Sequence, residues 1–359
     1  MLLFQPDVNG ELSEENMKKV LMLGAALLFA AAAGAQTNSY TVSNIVTSTQ
    51  DPRMLNPWGL SRPSSTHFGE NEWWVNDQVT GLSTLYDVNG TIVPLKVTIP
   101  PASGTGPGSP TGASFDTTAL SFAFATLDGT ISTWNAHATP STPGKRCAEC
   151  HVTSATIMVN HAADGASYQG LTLATNATSG ALTYYAANAN GGVEAYDAAT
   201  FSPVTLPAGA FTDPKIPATY TPAGIQALGK VIVVTYNKTA GGGTGAVDLY
   251  STDGALLLRL QSGWFNQPWG VTVAPANFGM FSSMILVGNT GSGLIGAYSL
   301  KGVFQGFLQN GSGQDLVIPG LWGLEFGDGN TESGPTNVLY FNAGGADQNT
   351  GTFGAITAN

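Results

Sequence analysis

The two cysteines of this chain lie three residues apart, at Cys147 and Cys150, and His151 follows directly. In an exported protein, this Cys-x-x-Cys-His spacing is the attachment sequence for haem c: two thioethers hold the porphyrin and the histidine binds iron. Met158 and His161 lie shortly after the motif and are candidates for the sixth iron ligand. If the motif holds haem c, the protein carries electrons.

Two other interpretations of the same residues stay open. A Cys147–Cys150 disulfide would close a very small loop, and such a bridge adds little stability and tends to be redox-active. Alternatively, two thiolates together with His151 and His161 have the donor types of a zinc site, although exported thiols seldom stay reduced. The residue types alone do not distinguish haem c attachment from a disulfide or inert cysteine pair, or from a metal site.

The beginning of the chain predicts export. Met17-Lys18-Lys19 is a short basic start, residues 20–33 are apolar, and Ala33-Gly34-Ala35 is a small-x-small cleavage pattern. We interpret residues 1–35 as a secretory signal peptide with translation starting at Met17, and residues 36–359 as one mature domain. No second apolar stretch has membrane-spanning length, so we expect a periplasmic or secreted protein.

The charge balance argues against nucleic acid as a partner. The chain has a net charge of −11, and removing the leader with its two lysines and four acidic residues leaves 10 basic and 19 acidic side chains. Such a surface repels phosphate backbones. We expect a monomer that binds a small molecule or an extracellular protein, with no transmembrane segment in the mature chain.

Enzyme motifs are scarce. The sequence contains no Gly-x-Ser-x-Gly elbow, no His-Glu-x-x-His and no phosphate-binding loop. We therefore predict a binding or interaction module without demonstrable catalysis. The haem c electron carrier is the first alternative, and a cation-dependent hydrolase or lyase is the second.

A glycine flanked by apolar or aromatic residues recurs six times, with spacings of 53, 58, 54, 46 and 53 residues. The repeated positions are Gly59, Gly112, Gly170, Gly224, Gly270 and Gly323. Each glycine opens a short strand, and two or three further strands follow it, the third carrying a tyrosine or tryptophan. Six such units predict an all-β fold, a six-bladed β-propeller of four-stranded antiparallel blades. The last unit is one strand short, so we expect the N-terminal strand 40–46 to close the ring.

Several segments carry a family resemblance. The markers are Asn-Pro-Trp-Gly-Leu at 56–60, Leu-Tyr-Asp-Val-Asn-Gly at 85–90, Tyr-Gln-Gly-Leu at 168–171, Asn-Gln-Pro-Trp-Gly-Val at 266–271 and Leu-Trp-Gly-Leu-Glu-Phe-Gly-Asp-Gly at 321–329. With them, the chain resembles an uncharacterised family of exported bacterial propeller proteins, distantly similar to NHL-type propellers. The resemblance implies fold and export, and it brings no established activity. Some members carry a Pro-Glu-Pro sorting tail, which this chain lacks.

The propeller topology places polar residues on faces. Loops that precede the first strand and loops that join the second to the third strand share one face, so the asparagines that end the second strands gather around one mouth of the channel. The candidates for a ligand pocket there are Asn56, Asn76, Asp77, Asp128, Asn188, Asn237, Asn289 and Asn342. Their oxygens suit a small polar ligand or Ca²⁺. The alternative is structural, because asparagine and aspartate favour tight turns without any ligand.

The cysteine motif lies in a predicted loop insertion at about 136–153 in the second blade, on the opposite face. Its sequence from 139 to 145 is rich in proline and serine. The fold depends on the glycine repeat, and we therefore expect it to be independent of the two cysteines.

Overall fold

The computed structural model describes residues 37–63, 71–135, 153–238 and 244–359, which form six antiparallel sheets arranged as the blades of a β-propeller. The first, inner strand of each blade lies beside the inner strands of both neighbours, so that six of them surround a central channel. The predicted all-β, six-bladed architecture is confirmed. Over the described ranges, the helices are two single 3-10 turns, Ala162–Asp164 and Gly279–Phe281, and no helix is long and apolar enough to cross a membrane.

In the described parts of the chain, twenty-three strands build the blades. Blade one has β2 (Pro57–Ser61), β3 (Trp73–Asp77), β4 (Leu82–Tyr86) and β5 (Ile92–Thr98), and blade two has β6 (Pro110–Asp116), β7 (Ser121–Thr126), β8 (Thr130–Trp134) and β9 (Thr156–Asn160). Blade three has β10 (Tyr168–Thr175), β11 (Leu182–Asn188) and β12 (Gly192–Asp197), and blade four has β13 (Tyr220–Leu228), β14 (Val231–Lys238), β15 (Gly245–Ser251) and β16 (Leu256–Arg259). Blade five has β17 (Pro268–Val273), β18 (Ile285–Asn289), β19 (Ile295–Tyr298) and β20 (Phe304–Phe307), and blade six has β21 (Leu321–Phe326), β22 (Leu339–Ala343), β23 (Thr352–Ala358) and β1 (Tyr40–Thr47).

Blade three departs from the four-stranded pattern. Its outer position is reduced to one antiparallel bridge between Tyr196 and Pro203. The amide of Val204 still donates to the carbonyl oxygen of Ala195 at 2.8 Å. Pro203 takes the non-hydrogen-bonded position of this bridge, between the bonds of Ser202 and Val204, where proline is tolerated in an edge strand.

The six repeated glycines are required by the close approach of neighbouring blades. A methyl group added at any of them would come within 3.1 Å of an atom of the next blade. At Gly224, for example, it would overlap the carbonyl oxygen of Trp269, and at Gly59 it would overlap that of Thr111. The repeat is therefore a steric requirement of the channel wall, where only a residue without Cβ fits.

Hydrophobic side chains fill the space between blades. Six clusters of described residues lie at the six junctions, each combining two adjacent blades. At the first junction Trp74 of blade one stacks on Phe122 of blade two, with ring centroids 4.0 Å apart, and Trp134 lies 5.0 Å from Trp74. Because each blade is covered on both faces, the second strand is buried throughout in β3, β7, β18 and β22, and β11 and β14 lose full burial only at an end.

The ring closes through the N-terminal strand, as the sequence predicts. Strand β1 pairs antiparallel with β23, from Tyr40 opposite Ala358 to Thr47 opposite Thr352. The hydroxyl of Tyr40 also donates to the carbonyl oxygen of Phe278 in blade five at 3.1 Å. Blade six thus combines the first and the last described strands of the chain.

Candidate functional site

Three tryptophans close one end of the channel, and we call them the tryptophan plug. The ring of Trp58 stacks on Trp322 at a centroid distance of 3.8 Å, and Trp269 lies edge-on to both, at 6.4 and 5.9 Å. The indole N–H of Trp269, in blade five, donates to the carbonyl oxygen of Gln169, in blade three, at 3.1 Å. This bond joins blades that are not neighbours, so the plug reaches across the channel.

The predicted polar candidates lie at this same end, which we call the asparagine end. Pairing places the last residues of the second strands opposite the first residues of the inner strands, for example Asn188 opposite Tyr168 and Asn289 opposite Pro268. The ring closure therefore distributes the candidates around the plug.

Two of these asparagines join adjacent blades. The amide nitrogen of Asn76 lies 3.2 Å from the carbonyl oxygens of both Thr111 and Gly112, in the inner strand of blade two. The amide nitrogen of Asn342, in blade six, donates to the carbonyl oxygen of Gly59 at 3.0 Å, and its oxygen accepts from Gly323 N at 2.6 Å. Their amides serve as hydrogen-bonding links between inner strands.

Three more candidates hold loops at the asparagine end. Asn56 accepts from the indole N–H of Trp322 at 3.0 Å and donates to Gln78 Oε1 at 3.0 Å. Asn188 accepts from Ser167 N at 3.0 Å, and Asn289 accepts from Asn266 N at 2.8 Å. These bonds agree with the structural alternative for these positions.

Asn188 also belongs to a polar cluster around Glu194. Its amide donates to Glu194 Oε1 at 2.6 Å, while the hydroxyls of Tyr168 and Tyr196 donate to Oε2 at 2.7 and 2.6 Å. Burial opposes ionisation of Glu194, but the hydrogen bonds from Tyr196, Tyr168 and Asn188 outweigh it and lower the pKa of its carboxyl group. The cluster thus keeps Glu194 ionised between blades two and three.

The remaining candidates retain unused acceptor atoms. Asp77 is fully buried and accepts from Thr84 Oγ1 at 2.7 Å, and burial raises its pKa well above the usual range. Asp128 accepts from the amide of Ala102. One side-chain oxygen each of Asp77, Asp128 and Asn237, and also Asn76 Oδ1, is buried with no hydrogen-bond partner among the described residues. A ligand or Ca²⁺ at this end stays a prediction, and the described ranges contain no group of three or more His, Cys, Asp or Glu side chains placed to hold a metal ion.

The haem c residues Cys147, Cys150 and His151 lie outside the described residues, as does nearly all of the predicted insertion. Met158 is 44% exposed on β9, and His161 follows the end of that strand, with its Nδ1 2.9 Å from Asp164 Oδ2. Strand direction places His161 at the asparagine end, whereas residue 135 and residue 153, on either side of the gap, lie at the opposite end. The haem c, disulfide and metal interpretations stay predictions.

A cavity of about 240 Å³ lies at the end of the channel opposite the tryptophan plug, and we call it the channel-end pocket. It is lined by Leu60, Ser61, Arg62, Ala113, Ser114, Phe115, Thr117, Thr172, Leu173, Gln226, Ala227 and Glu325. Five inner strands supply these residues where they end, and blade five supplies none. A void of about 20 Å³ lies deeper in the channel, among the apolar residues that follow the repeated glycines, and has room for about one water molecule. The channel thus narrows from the pocket towards the tryptophan plug.

The sequence contains a signal for this pocket that motif analysis missed. Alternate residues of a strand share a face, so the second residue after each repeated glycine takes an equivalent position. These residues are Ser61, Ser114, Thr172, Gln226, Thr272 and Glu325, all polar, and five of them line the pocket. Glu325 is the only one of the six with an ionisable side chain.

One arginine organises the charge at the pocket. Arg62 Nη1 lies 2.9 Å from Asp328 Oδ2, and Arg62 Nε lies 3.5 Å from Glu325 Oε1. The guanidinium also lies over the ring of Trp73, 5.5 Å from its centroid. Burial raises the pKa of Glu325 to about 7; Arg62 opposes this shift and Asp328 adds to it. A carboxyl group that ionises near neutral pH thus faces an open cavity.

Comparisons with known proteins give relatives without an assigned activity. Three uncharacterised proteins of Acanthamoeba polyphaga mimivirus are similar in sequence. One is 28% identical over 305 residues, covering 80% of this chain and 72% of the relative, and another is 27% identical over 311 residues, covering 80% and 77%. The third is 30% identical over 215 residues, 56% of this chain and 37% of the relative. No protein-family model matches the chain.

Solved structures with a related arrangement include the Dos1 propeller and the WD40 β-propeller domain of Doa1. The first is 10% identical with a TM-score of 0.44, covering 80% of this chain and 76% of that chain. The second is 12% identical with a TM-score of 0.45, covering 90% and 97%. The six-bladed assignment rests on the strand pairing of this chain itself. The exported bacterial and NHL-type character implied by the resemblance stays a prediction, since the similar sequences are viral.

Proposed function

We propose that this chain is an exported binding module that holds a small polar ligand in the channel-end pocket. The observation that carries the proposal is an open polar cavity at the one end of the channel that the tryptophan plug does not fill. Ligand sites commonly combine an enclosed cavity with a few polar groups that fix orientation. Here those groups come from five different blades, so a bound ligand would contact most of the ring at once.

The polar side chains of the pocket support binding because several are unused. Within the described part of the chain, the side chains of Ser114, Thr117 and Gln226 make no hydrogen bond. At the asparagine end, by contrast, most amides are already bonded to backbone or to other side chains. Groups that are positioned but unpaired are available to a ligand without first breaking an internal bond.

A melting-temperature screen with simple amines, carboxylates and neutral polyols tests the proposal. A ligand at about 100 times its Kd stabilises a protein by about 2.7 kcal/mol, which raises Tm by several degrees. We expect at least one class to raise the Tm of the wild type and to have no effect on Ser114→Phe, whose larger side chain fills the pocket.

Ser312→Phe is the matched control, because Ser312 is exposed in a turn after β20 and does not line the pocket. It should keep the wild-type response. The proposal is wrong if no class raises the Tm of the wild type, or if Ser114→Phe responds as the wild type does.

Export is a separate part of the proposal and is supported by the sequence of residues 17–35. Mass spectrometry of the secreted chain should find Gln36 as its first residue, and an intact leader would contradict export.

Haem c attachment at Cys147 and Cys150 also requires export, because that chemistry occurs in the compartment where cytochromes c mature. An absorbance spectrum after co-expression with maturation factors tests it.

A further inference from the structure

We propose that the channel-end pocket binds a small organic ammonium ion through the carboxylate of Glu325. The inference rests on the proposed function, since it names the chemical class of ligand for the same pocket. It is carried by the local charge, the available acceptor atoms and the size of the cavity.

Among the described residues, the charged groups at the pocket leave one negative charge uncompensated. Arg62 Nη1 contacts Asp328 Oδ2 at 2.9 Å, and Nη2 donates to the carbonyl oxygen of Phe326 at 3.1 Å. Nε lies 3.3 Å from that carbonyl oxygen and 3.5 Å from Glu325 Oε1. One guanidinium therefore serves two carboxylates, and it bonds to Asp328 more closely than to Glu325. A ligand with one positive charge would neutralise the remainder, whereas an anion would meet two acids and an arginine already engaged.

Acceptor atoms that line the pocket match the hydrogen-bonding needs of an ammonium group. Such a group has three N–H donors and no acceptor. Besides the Glu325 carboxylate, the pocket presents the amide oxygen of Gln226 and the hydroxyl oxygen of Ser114, both unpaired within the described ranges. The carboxylate supplies the charge, and these neutral groups supply the remaining bonds.

The cavity admits only a small ligand. Its volume of about 240 Å³ lies below the roughly 300–1,000 Å³ typical of sites for drug-sized molecules. The 10 basic and 19 acidic side chains of residues 36–359 give a net negative charge, which raises the local concentration of cations near the surface. Both observations favour a short alkylammonium over a large or anionic compound.

The pKa of Glu325 adds a pH dependence to the binding. Within the described ranges, the charged groups that face this carboxyl group are Arg62, which follows β2, and Asp328, which follows β21. With a pKa of about 7, Glu325 is mostly ionised at pH 8 and mostly protonated at pH 6, while an alkylammonium stays charged at both. Affinity should therefore fall about tenfold from pH 8 to pH 6.

Isothermal titration calorimetry with n-butylamine and, as its uncharged match, 1-butanol tests the inference at pH 8. We expect n-butylamine to bind the wild type at least about tenfold more tightly than 1-butanol, a difference that the charge alone explains. Glu325→Gln should remove that preference. Asp347→Asn is the matched control, since it removes one exposed carboxylate at the asparagine end and should leave the affinity unchanged.

A second variant and melting curves distinguish a specific loss of binding from a failure of the variant to fold. Gln226→Leu should weaken n-butylamine binding several-fold while keeping its preference over 1-butanol, and both pocket variants should melt as cooperatively as the wild type. The ammonium inference is overturned if 1-butanol binds as tightly as n-butylamine, or if Asp347→Asn weakens binding as much as Glu325→Gln. If the wild type does not bind n-butylamine but a polyol or carboxylate raises its Tm in a pocket-dependent way, only this inference fails. If no compound binds, the proposed function fails as well.

Discussion

The two ends of the channel are built from the same sixfold repeat and differ in how their polar atoms are used. At the asparagine end, the side-chain N–H groups of Asn76 and Asn342 donate to backbone carbonyl oxygens of neighbouring blades, and the tryptophan plug occupies the centre of the channel. At the other end, Ser114 and Gln226 are held by strand geometry without any side-chain hydrogen bond in the described ranges, around an open cavity. The comparison separates residues that maintain the ring from residues that are available to a ligand.

Removing part of the tryptophan plug should have the largest effect on stability. Trp322→Ala deletes the stack on Trp58 and the hydrogen bond to Asn56, and we expect a loss of about 3–5 kcal/mol in the free energy of unfolding. Urea unfolding measures it. Trp264→Ala is the control, because Trp264 is 46% exposed and should cost about 1 kcal/mol. Equal losses in the two variants would show that the plug is no more structural than a surface ring.

Removing one side-chain amide at each end of the channel tests the comparison directly. Asn342→Ala leaves Gly323 N and the Gly59 carbonyl oxygen without their buried partner, so we expect a loss of about 2–3 kcal/mol. Gln226→Ala, at the pocket, should change the free energy of unfolding by no more than about 0.5 kcal/mol. Chemical denaturation of both variants measures these losses. Similar losses would contradict the distinction between structural amides at the asparagine end and unpaired amides at the pocket.

The pH dependence of stability should reveal Glu325. The pKa of its carboxyl group is 4.5 in the unfolded chain and about 7 in the folded protein. Between these two pH values, the folded chain therefore holds a proton that the unfolded chain has released. The free energy of unfolding should therefore fall by about 2.5 kcal/mol between pH 4.5 and pH 7, relative to Glu325→Gln. Parallel pH profiles for the two proteins would contradict this.

Changing the cysteines should have the smallest effect on the propeller. Cys147→Ser combined with Cys150→Ser should leave Tm unchanged, because the glycine repeat and the blade junctions determine the fold. The same double variant is the control for haem c: a Soret band in the matured wild type and its absence in the variant would establish attachment. A wild type without a Soret band would exclude it.

The fold could be predicted from the sequence because a steric requirement repeats. Six glycines at intervals of about 50 residues follow from the close approach of inner strands, and an unpaired last blade leaves only one place for an N-terminal strand. Blade three is the exception to the four-stranded repeat, because its outer position is reduced to the single bridge at Pro203. These effects act through residues that are recognisable by type.

The channel-end pocket is harder to predict because its residues have no shared type beyond being polar. Serine, threonine, glutamine and glutamate at the second position after each glycine resemble ordinary strand surface until the ring is closed. The raised pKa of Glu325 also depends on residues far apart in the chain, Arg62 and Asp328, whose meeting requires blade six to close against blade one. The asparagines, by contrast, are predicted as ligand groups from their type and position, whereas most of those near the tryptophan plug form hydrogen bonds that link strands and loops.

The pairing of β1 with β23 makes the ring a candidate for circular permutation. Tyr40 and Ala358 are direct neighbours in an antiparallel ladder, roughly 5 Å apart. A linker of a few residues would therefore join the first and last strands without strain, and a new opening in an exposed turn such as 311–313 would leave every inner strand intact. Such a permuted chain would carry blade six as one continuous hairpin series, with its outer strand no longer contributed from the far end of the chain.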